Sequence, residues 1–172
     1  MRSMTAAAAI LLVWFVAQAH LFAKGTTTKV VITGEGVRGR VEIADPKTLE
    51  NFNIWSGPGT RMNGVEGREG FIARWTDGPV TERPEGLRRF ELFFYVRYAN
   101  RPSVEQTDQL AYVVSYAVDP ATGQGYVYLP GRADQYYQLN TRAILRRVEG
   151  HWFRATASWE NVFQAVMRSQ PQ

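Results

Sequence analysis

Three consecutive strand-like segments constrain the fold more than any other feature of this sequence. They span residues 89–98, 110–118 and 125–129, and they are rich in aromatic and β-branched residues, which favour strands. The last two are joined by Asp119-Pro-Ala-Thr-Gly123, where proline presets the first central turn position and glycine supplies the positive φ of a bulged loop. The sequence therefore predicts an antiparallel meander whose alternating aromatic side chains fill a core rather than form a binding platform.

Shorter elements are predicted on both sides of this meander. Strands are expected at residues 30–33, 70–75 and 151–155, and residues 139–147 fit either a short helix or an edge strand. A short helix at 47–52 begins where Asp45 caps the free amides and Pro46 occupies the first turn. A C-terminal helix at 159–167, with Ser158 as its N-cap, carries an apolar stripe at helical spacing. The stripe consists of Trp159, Val162, Phe163, Val166 and Met167.

These elements together predict an α+β fold. Its main part is an antiparallel β-sheet built as a meander of hairpins, covered by two short helices. The C-terminal helix is expected to pack its apolar stripe on the sheet, because a helix with one apolar face must bury that face.

A literal G-x-G-x-x-G, the signature of dinucleotide-binding loops, follows the first predicted strand as Gly34-Glu-Gly-Val-Arg-Gly39. That signature requires a helix directly behind it, whose N-terminal amides meet the pyrophosphate. Here the next residues, 40–44, alternate and include β-branched side chains, and Asp45-Pro46 follows them. The segment therefore predicts a hairpin with a glycine-rich loop, and no nucleotide cofactor is expected.

Length and charge narrow the classes of function. A chain of 172 residues with 45% hydrophobic residues can bury one core without metals or disulfides. The net charge is +4, but the arginines are scattered among carboxylates rather than gathered in blocks. Specific nucleic-acid binding is therefore not expected.

The N-terminus has the layout of a secretory signal peptide. A short basic start at residues 1–4 precedes an apolar run at 5–16, which is shorter than the about 20 residues of a membrane span. Ala17-Gln-Ala19 is a small-x-small cleavage signature, so we expect a signal peptide at 1–19 and a single globular domain at 20–172. The alternative is an uncleaved anchor, because residues 21–23 extend the apolar stretch. The prediction is export to the periplasm or secretion, with membrane contact only through this segment.

Residue types that carry covalent or metal chemistry are scarce. The chain has no cysteine, which excludes disulfides, a thiol nucleophile and thiolate metal sites, and its 2 histidines are His20 and His151. No zinc-ligand spacing, nucleophile elbow or triad spacing is present, so no metal or cofactor is expected. A glycoside hydrolase would draw its carboxylate pair from Glu69, Asp77, Glu91, Asp108, Asp119 and Asp134.

The most concentrated candidate site follows the central hairpin. Arginines and aromatic side chains gather at residues 132–137 and 142–152, and a tryptophan lies in the long irregular stretch 53–69. Arginine forks beside flat rings suit carboxylate, phosphate or sugar ligands. The alternative is a solvated face on which arginine stems cover aromatic edges. The predicted ligand-binding residues are Arg132, Tyr136, Arg146, His151, Trp152 and Trp55, and no catalytic residue is assigned.

Four motifs resemble those of a group of uncharacterised exported bacterial proteins. They are I-T-G-x-G at residues 32–36, I-x-D-P at 43–46, W-S-G-P-G at 55–59 and D-P-x-T-G-x-G-Y-V-Y-L-P-G at 119–131. The resemblance spans most of the chain after residue 19 and implies an exported protein with one compact domain. It brings no activity and no site residues.

The function predicted from these features is an exported non-catalytic binding or interaction module of the bacterial periplasm or cell envelope. Its partner would be an anionic or saccharide ligand or an envelope protein. The alternative is a small hydrolase of envelope or extracellular polymers, which a deep cleft holding His151 beside a carboxylate would favour. A third hypothesis is an inhibitor or accessory subunit, which an exposed apolar stripe on the C-terminal helix would favour.

Overall fold

A six-stranded antiparallel sheet dominates the computed structural model, which describes residues 25–62, 65–66, 70–82, 85–98 and 107–170. In spatial order the strands are β2 (Val41–Ile43), β1 (Thr26–Gly34), β5 (Arg88–Arg97), β6 (Gln109–Val118), β7 (Gly125–Tyr128) and β8 (Trp152–Arg154). A two-stranded ribbon pairs β3 (Arg61–Met62) with β4 (Val65–Glu66). The helices are α1 (Pro46–Leu49), α2 (Tyr137–Ala143) and α3 (Ala157–Arg168), and 3₁₀ turns lie at Glu50–Phe52 and Trp75–Asp77. The predicted α+β fold with a mainly antiparallel sheet is confirmed.

The central meander lies where the sequence predicts it. β5 pairs with β6 over almost the full length of both strands, and β6 then pairs with β7. The turn between β6 and β7 is held by Asp119, whose carboxylate accepts hydrogen bonds from the Thr122 hydroxyl at 2.7 Å and the Ala121 amide at 2.8 Å. Gly123 closes this turn with the expected positive φ, 77°. Local turn chemistry therefore fixes the register of this hairpin.

Alternation along the strands gives the sheet two different faces. One face, the core face, is covered by α1, α3 and the segments around the 3₁₀ turns. On the opposite face, here called the outer face, Tyr126, Tyr128 and Trp152 are only half-buried. The prediction that the aromatic side chains of the meander fill the core is therefore correct for one face and wrong for the other. The buried strand residues of the core face include Phe90, Leu92, Phe94, Tyr112, Val114, Tyr116, Val127 and Phe153.

Helix α3 packs its apolar stripe on the core face. Trp159 and Phe163 are buried, the ring centroids of Phe163 and Phe90 lie 4.8 Å apart, and the other stripe residues are partly buried. The N-cap is Thr156 and not Ser158, since the Thr156 hydroxyl accepts a hydrogen bond from the Trp159 amide at 3.3 Å. The predicted packing of the C-terminal helix is confirmed, and its stripe is covered by the sheet.

Helix α2 settles the ambiguous segment 139–147 in favour of a helix. The pairing of β7 with β6 ends at Ser115 of β6. The next backbone groups of β6 that point toward the β7 side are those of Val113, and β7 does not extend far enough to bond them. Asn140 occupies this place: its side chain accepts a hydrogen bond from the Val113 amide at 2.8 Å and donates one to the Val113 carbonyl at 2.6 Å. Asn140 is 1% exposed. Its amide group thus replaces the peptide group of a missing strand.

Residues 70–75 do not form the predicted strand. Ala73 makes one isolated bridge, Phe71 has a left-handed φ of 68°, and Trp75 begins a 3₁₀ turn. Three consecutive residues, Phe71, Ile72 and Ala73, are all buried. A strand whose side chains alternate between two faces cannot bury three in a row against a single core. The apolar run therefore folds as a buried loop.

The N-terminal part of the described chain is all strand up to its first turn. β1 begins at Thr26 and not at residue 30 as predicted. The polar residues 26–29 belong to the strand because this end of β1 pairs with the end of β5. The glycine-rich segment 34–39 is the turn of the antiparallel β1–β2 hairpin, so the predicted hairpin is confirmed. The predicted signal peptide at 1–19 lies outside the described residues. Within the described ranges, no helix has the length and apolar character needed to cross a membrane.

Candidate functional site

A groove of about 750 Å³ opens on the outer face of the sheet. Side chains that stand directly opposite one another on neighbouring strands project from the same face, so the register of the sheet gathers them in one row. The row crosses five strands and therefore runs across the strands instead of along one of them. Its members, all of which line the groove, are Thr33 on β1, Glu91 on β5, Ser115 on β6, Tyr128 on β7 and Trp152 on β8.

One end of the groove is aromatic. The ring centroids of Tyr128 and Trp152 lie 5.1 Å apart, and the two ring planes are inclined by 35°, so the rings pack against each other; this pair is called the platform. Both side chains are half-buried and leave ring surface accessible. The face of an aromatic ring carries partial negative charge and attracts partly positive C–H groups. This end therefore suits a flat ligand surface that is rich in C–H groups.

Asp134 stands beside this platform. Its Oδ2 atom accepts hydrogen bonds from the Tyr128 hydroxyl at 2.8 Å and from the Gly131 amide at 2.6 Å, and the residue lines the groove. These two bonds fix the orientation of the carboxylate. Because an ionised carboxylate has about four acceptor positions, Asp134 can accept further hydrogen bonds from a ligand.

The other end of the groove is polar and charged. Arg89 and Glu91 lie two residues apart on β5, line the groove and are exposed. Tyr136 is close to this end, where its ring packs edge-on against Phe93 with centroids 5.9 Å apart. Burial, together with a smaller contribution from the negative charge of Glu91, raises the pKa of the Tyr136 phenol. Donors and acceptors for a polar ligand are therefore available here.

Four of the six predicted site residues lie at or near the groove. Trp152 lines it, Tyr136 packs beside its polar end, Arg132 is exposed in the turn before α2, and His151 directly precedes Trp152. The Nδ1 atom of His151 donates to the backbone oxygen of Glu149, at 3.1 Å. The role of these four residues in ligand binding stays a prediction.

Arg146 lies on the opposite side of the sheet and is 2% exposed. Its Nη1 atom donates to the backbone oxygens of Ser56 at 2.7 Å and Pro58 at 3.1 Å, and Nη2 donates to that of Ile54. Its Nε atom donates to the Tyr112 hydroxyl at 3.1 Å, and burial raises the pKa of that phenol. The guanidinium also lies over three aromatic rings, with centroids at 5.1 to 5.3 Å: Phe71, Trp75 and Tyr112. Arg146 therefore attaches the loop 54–58 to the core.

The W-S-G-P-G motif is the loop that encloses Arg146. Gly59 has a φ of +74°, and a Cβ atom at this position would overlap the Leu145 carbonyl oxygen. Trp55 is half-buried, and its ring packs edge-on against Tyr98 with centroids 6.5 Å apart. Trp55 and Arg146, the remaining two predicted site residues, thus lie together, but away from the groove.

Sequence reasoning did not identify Arg89, Ser115 and Tyr128 as site residues, and it offered Glu91 only among the possible carboxylates of a hydrolase. Period-two alternation shows which residues of one strand share a face. It does not show which residues of distant strands stand opposite one another. The available signal was Gly125-Tyr-Val-Tyr128, where two tyrosines alternate with a valine that is buried in the core.

The chain matches no family model, no curated protein and no solved structure. The resemblance to exported bacterial proteins therefore stays a prediction. Among the residues whose placement is described, no group of three or more His, Asp or Glu side chains could hold a metal ion.

Proposed function

We propose that this protein is an exported, non-catalytic module of the bacterial cell envelope that binds a saccharide in the groove of its outer face. The observation that supports this proposal is the platform formed by Tyr128 and Trp152 at one end of a groove whose other end carries the polar side chains of Glu91 and Arg89. A sugar ring offers C–H groups on its faces and hydroxyl groups around its rim. A site that combines an aromatic platform with a few polar side chains complements both. Export is proposed from the signal-peptide layout of residues 1–19.

The charge of the groove favours a saccharide over an anionic ligand. Of the residues that the structure describes, two carboxylates, Glu91 and Asp134, line it together with one arginine, Arg89. A polyanion would therefore meet more negative than positive charge at short range. Arg146, which made an anionic ligand plausible from the sequence, is buried and bound to backbone oxygens.

The form of the groove favours binding over catalysis. Its carboxylates are exposed, and its floor is the regular surface of a sheet instead of an enclosed cleft. The ring of His151 is exposed and donates to a backbone oxygen, and no described carboxylate forms a hydrogen bond with it. A general base needs to be oriented toward a reacting group, and in this structure no carboxylate among the described residues orients His151 for that role.

Calorimetric titration of the purified protein with neutral oligosaccharides tests the proposal. Suitable probes are cello-, manno-, xylo- and chito-oligosaccharides, with inorganic phosphate as an anionic comparison. We expect at least one oligosaccharide series to bind and phosphate not to bind. Trp152→Ala should lower the affinity for the bound series about tenfold, because it removes half of the platform.

A matched control is Tyr95→Ala. Tyr95 lies on the same face of the sheet, is half-buried like Trp152, and does not line the groove. This variant should bind the oligosaccharide as the unmodified protein does. The proposal is wrong if no oligosaccharide series binds, or if the two variants lower the affinity equally.

A small glycoside hydrolase is the second candidate function. It is favoured by the presence of two carboxylates, Glu91 and Asp134, in the same groove, since glycoside hydrolysis uses such a pair. Incubation of the bound oligosaccharide with the protein, followed by chromatography of the products, separates the two functions. A hydrolase would release shorter products, and both Glu91→Gln and Asp134→Asn would stop their release. A binding module leaves the oligosaccharide intact.

A further inference from the structure

We infer that the groove binds a linear, uncharged oligosaccharide that lies across the strands, and this inference rests on the proposed function. One sugar ring would stack on Tyr128 and Trp152, and the chain would continue over Ser115 toward Glu91 and Thr33. The register of the sheet supports this direction, since these five residues form one row of directly opposite positions.

The length of the row sets the length of the ligand. Five strands in a row are separated by four inter-strand spacings of about 4.8 Å, so the row is about 19 Å long. A pyranose ring with its linkage is about as long as one such spacing, so the row accommodates about four sugar units. A single sugar would contact only one end of this groove.

The chemistry changes along the row in a way that distinguishes its two ends. The aromatic end removes C–H surface of the ligand from water, whereas the far end offers the Glu91 carboxylate, the Thr33 hydroxyl and the Arg89 guanidinium. Ser115, a small side chain, lies between the two ends and leaves room for the chain to pass. The ligand is therefore expected to gain stacking energy at one end and hydrogen bonds at the other.

The flanking rows of the outer face explain why the ligand would not run along the strands. On one side of the groove, Phe93 is covered by Tyr136 and Val31 is buried, so the surface is closed. On the other side the next row continues from Arg89 through Ala117 and Tyr126 to Arg154, and of its members only the arginine on β5 lines the groove. The open path therefore follows the row and not a single strand.

A chain-length series tests this inference. The probe is the oligosaccharide series that binds in the first experiment, used from one to about six units, and the measurement is the dissociation constant of each member. We expect the affinity to rise up to about four units and then to stay constant. Trp152→Ala should weaken the binding of the disaccharide and of the tetrasaccharide by about the same factor, because the aromatic end contacts both.

Variants at the far end and in the neighbouring row separate the alternatives. Glu91→Ala should lower the affinity for the tetrasaccharide about tenfold, since hydrogen bonds to charged groups are of that strength. The same variant should leave the affinity for the disaccharide unchanged. Tyr126→Ala, in the next row, should change neither. All three altered side chains are exposed or half-buried, and the unfolding temperature of each variant confirms that it folds.

The inference is overturned if the disaccharide binds as tightly as the tetrasaccharide, or if Glu91→Ala weakens the binding of both equally. It is also overturned if Tyr126→Ala costs as much as Trp152→Ala, because the ligand would then follow β7. These outcomes leave saccharide binding itself intact. Failure of every series to bind would instead contradict the proposed function.

Discussion

Arg146 is a cation in the core of the protein whose charge is compensated by dipoles and ring faces. Taking a charged side chain out of water costs several kcal/mol, and only good hydrogen bonds offset that cost. Four of its five N–H groups are bonded, three of them to backbone oxygens of the loop 54–58. The planar fork of arginine can reach diverging acceptors in a way that the single ammonium group of lysine cannot.

Removal of this guanidinium should therefore destabilise the protein strongly. Arg146→Ala leaves three backbone carbonyls without their donors and opens a cavity beside aromatic rings, so we expect the free energy of unfolding to fall by about 3 kcal/mol or more. Arg146→Lys should lose most of the same stability. Urea unfolding measures both changes. Arg142→Ala, at an exposed position of α2, is the control and should change stability by less than about 0.5 kcal/mol.

Gly59 and Gly39 separate the cost of backbone conformation from the cost of a close contact. Their φ angles are alike, +74° and +79°, but a Cβ atom on Gly59 would overlap the Leu145 carbonyl, whereas nothing lies within 4 Å of a Cβ on Gly39. We expect Gly39→Ala to cost about 1 kcal/mol and Gly59→Ala about 3 kcal/mol in thermal or urea unfolding. Equal losses of stability for the two variants would show that the W-S-G-P-G loop does not pack tightly against Leu145.

At the scale of secondary-structure elements, the Asn140 side chain bonds α2 to β6. Asn140→Ala would leave the buried amide and carbonyl groups of Val113 without partners, at a cost of about 2–4 kcal/mol. Asn140→Asp should also destabilise, because a carboxylate accepts from the amide but cannot donate to the carbonyl. Urea unfolding measures the loss, and hydrogen exchange at the Val113 amide should become much faster. Gln138→Ala, at an exposed position of the same helix, should leave both quantities unchanged.

The β6–β7 turn should make stability sensitive to acid through Asp119. Hydrogen bonds from the Thr122 hydroxyl and then the Ala121 amide lower the pKa of this carboxyl below its usual value. A lowered pKa in the folded state means that the stabilisation is present above the unfolded-state pKa of about 4 and is lost as pH falls through the folded-state value. Asp119→Asn should therefore be less stable than the unmodified protein at pH 7, and the gap should narrow as the pH falls below about 4. A gap that is constant with pH would contradict this assignment.

The elements themselves were largely predictable, and their spatial relations were not. Strands β5, β6 and β7 follow from aromatic and β-branched composition, and the Asp45 cap of α1 follows from Asp-Pro, since Asp45 accepts from the Thr48 amide at 2.9 Å. The run at 70–75 has the same composition as a strand but folds as a buried loop, because tertiary packing decides such runs. The row of the groove depends on register between strands as distant in sequence as β1 and β8, which no local pattern encodes.

At the scale of the whole molecule, the arginines of the described residues lie in different environments. Arg146 is buried, and the charge at the groove has both signs, with Arg89 beside Glu91 and Asp134 close to the platform. The sequence showed the clustering of arginines near residues 142–147, but burial of one of them depends on how a loop ninety residues earlier folds over it. The site predicted from the sequence and the groove share Trp152, and binding at either stays a prediction.

Export of the whole chain is also testable. Expression in a bacterial host should yield a protein outside the cytoplasm whose first residue is His20, as determined by mass spectrometry. Ala19→Arg should block this cleavage, because small side chains are required there, and Ala23→Arg should not. Recovery of exported protein that retains residues 1–19 would support the uncleaved anchor instead.

The two edges of the sheet have a consequence for aggregation. Exposed strand edges can pair with those of other molecules, and a chain without disulfides must avoid this by other means. At one edge the outward carbonyls of β8 are occupied, since Trp152 accepts from the Val80 amide at 2.7 Å and Arg154 from the Arg74 amide at 2.8 Å. At the other edge β2 is only three residues long. Residues 74–80 thus cap one edge of the sheet, and the short β2 offers no long template for fibril growth at the other.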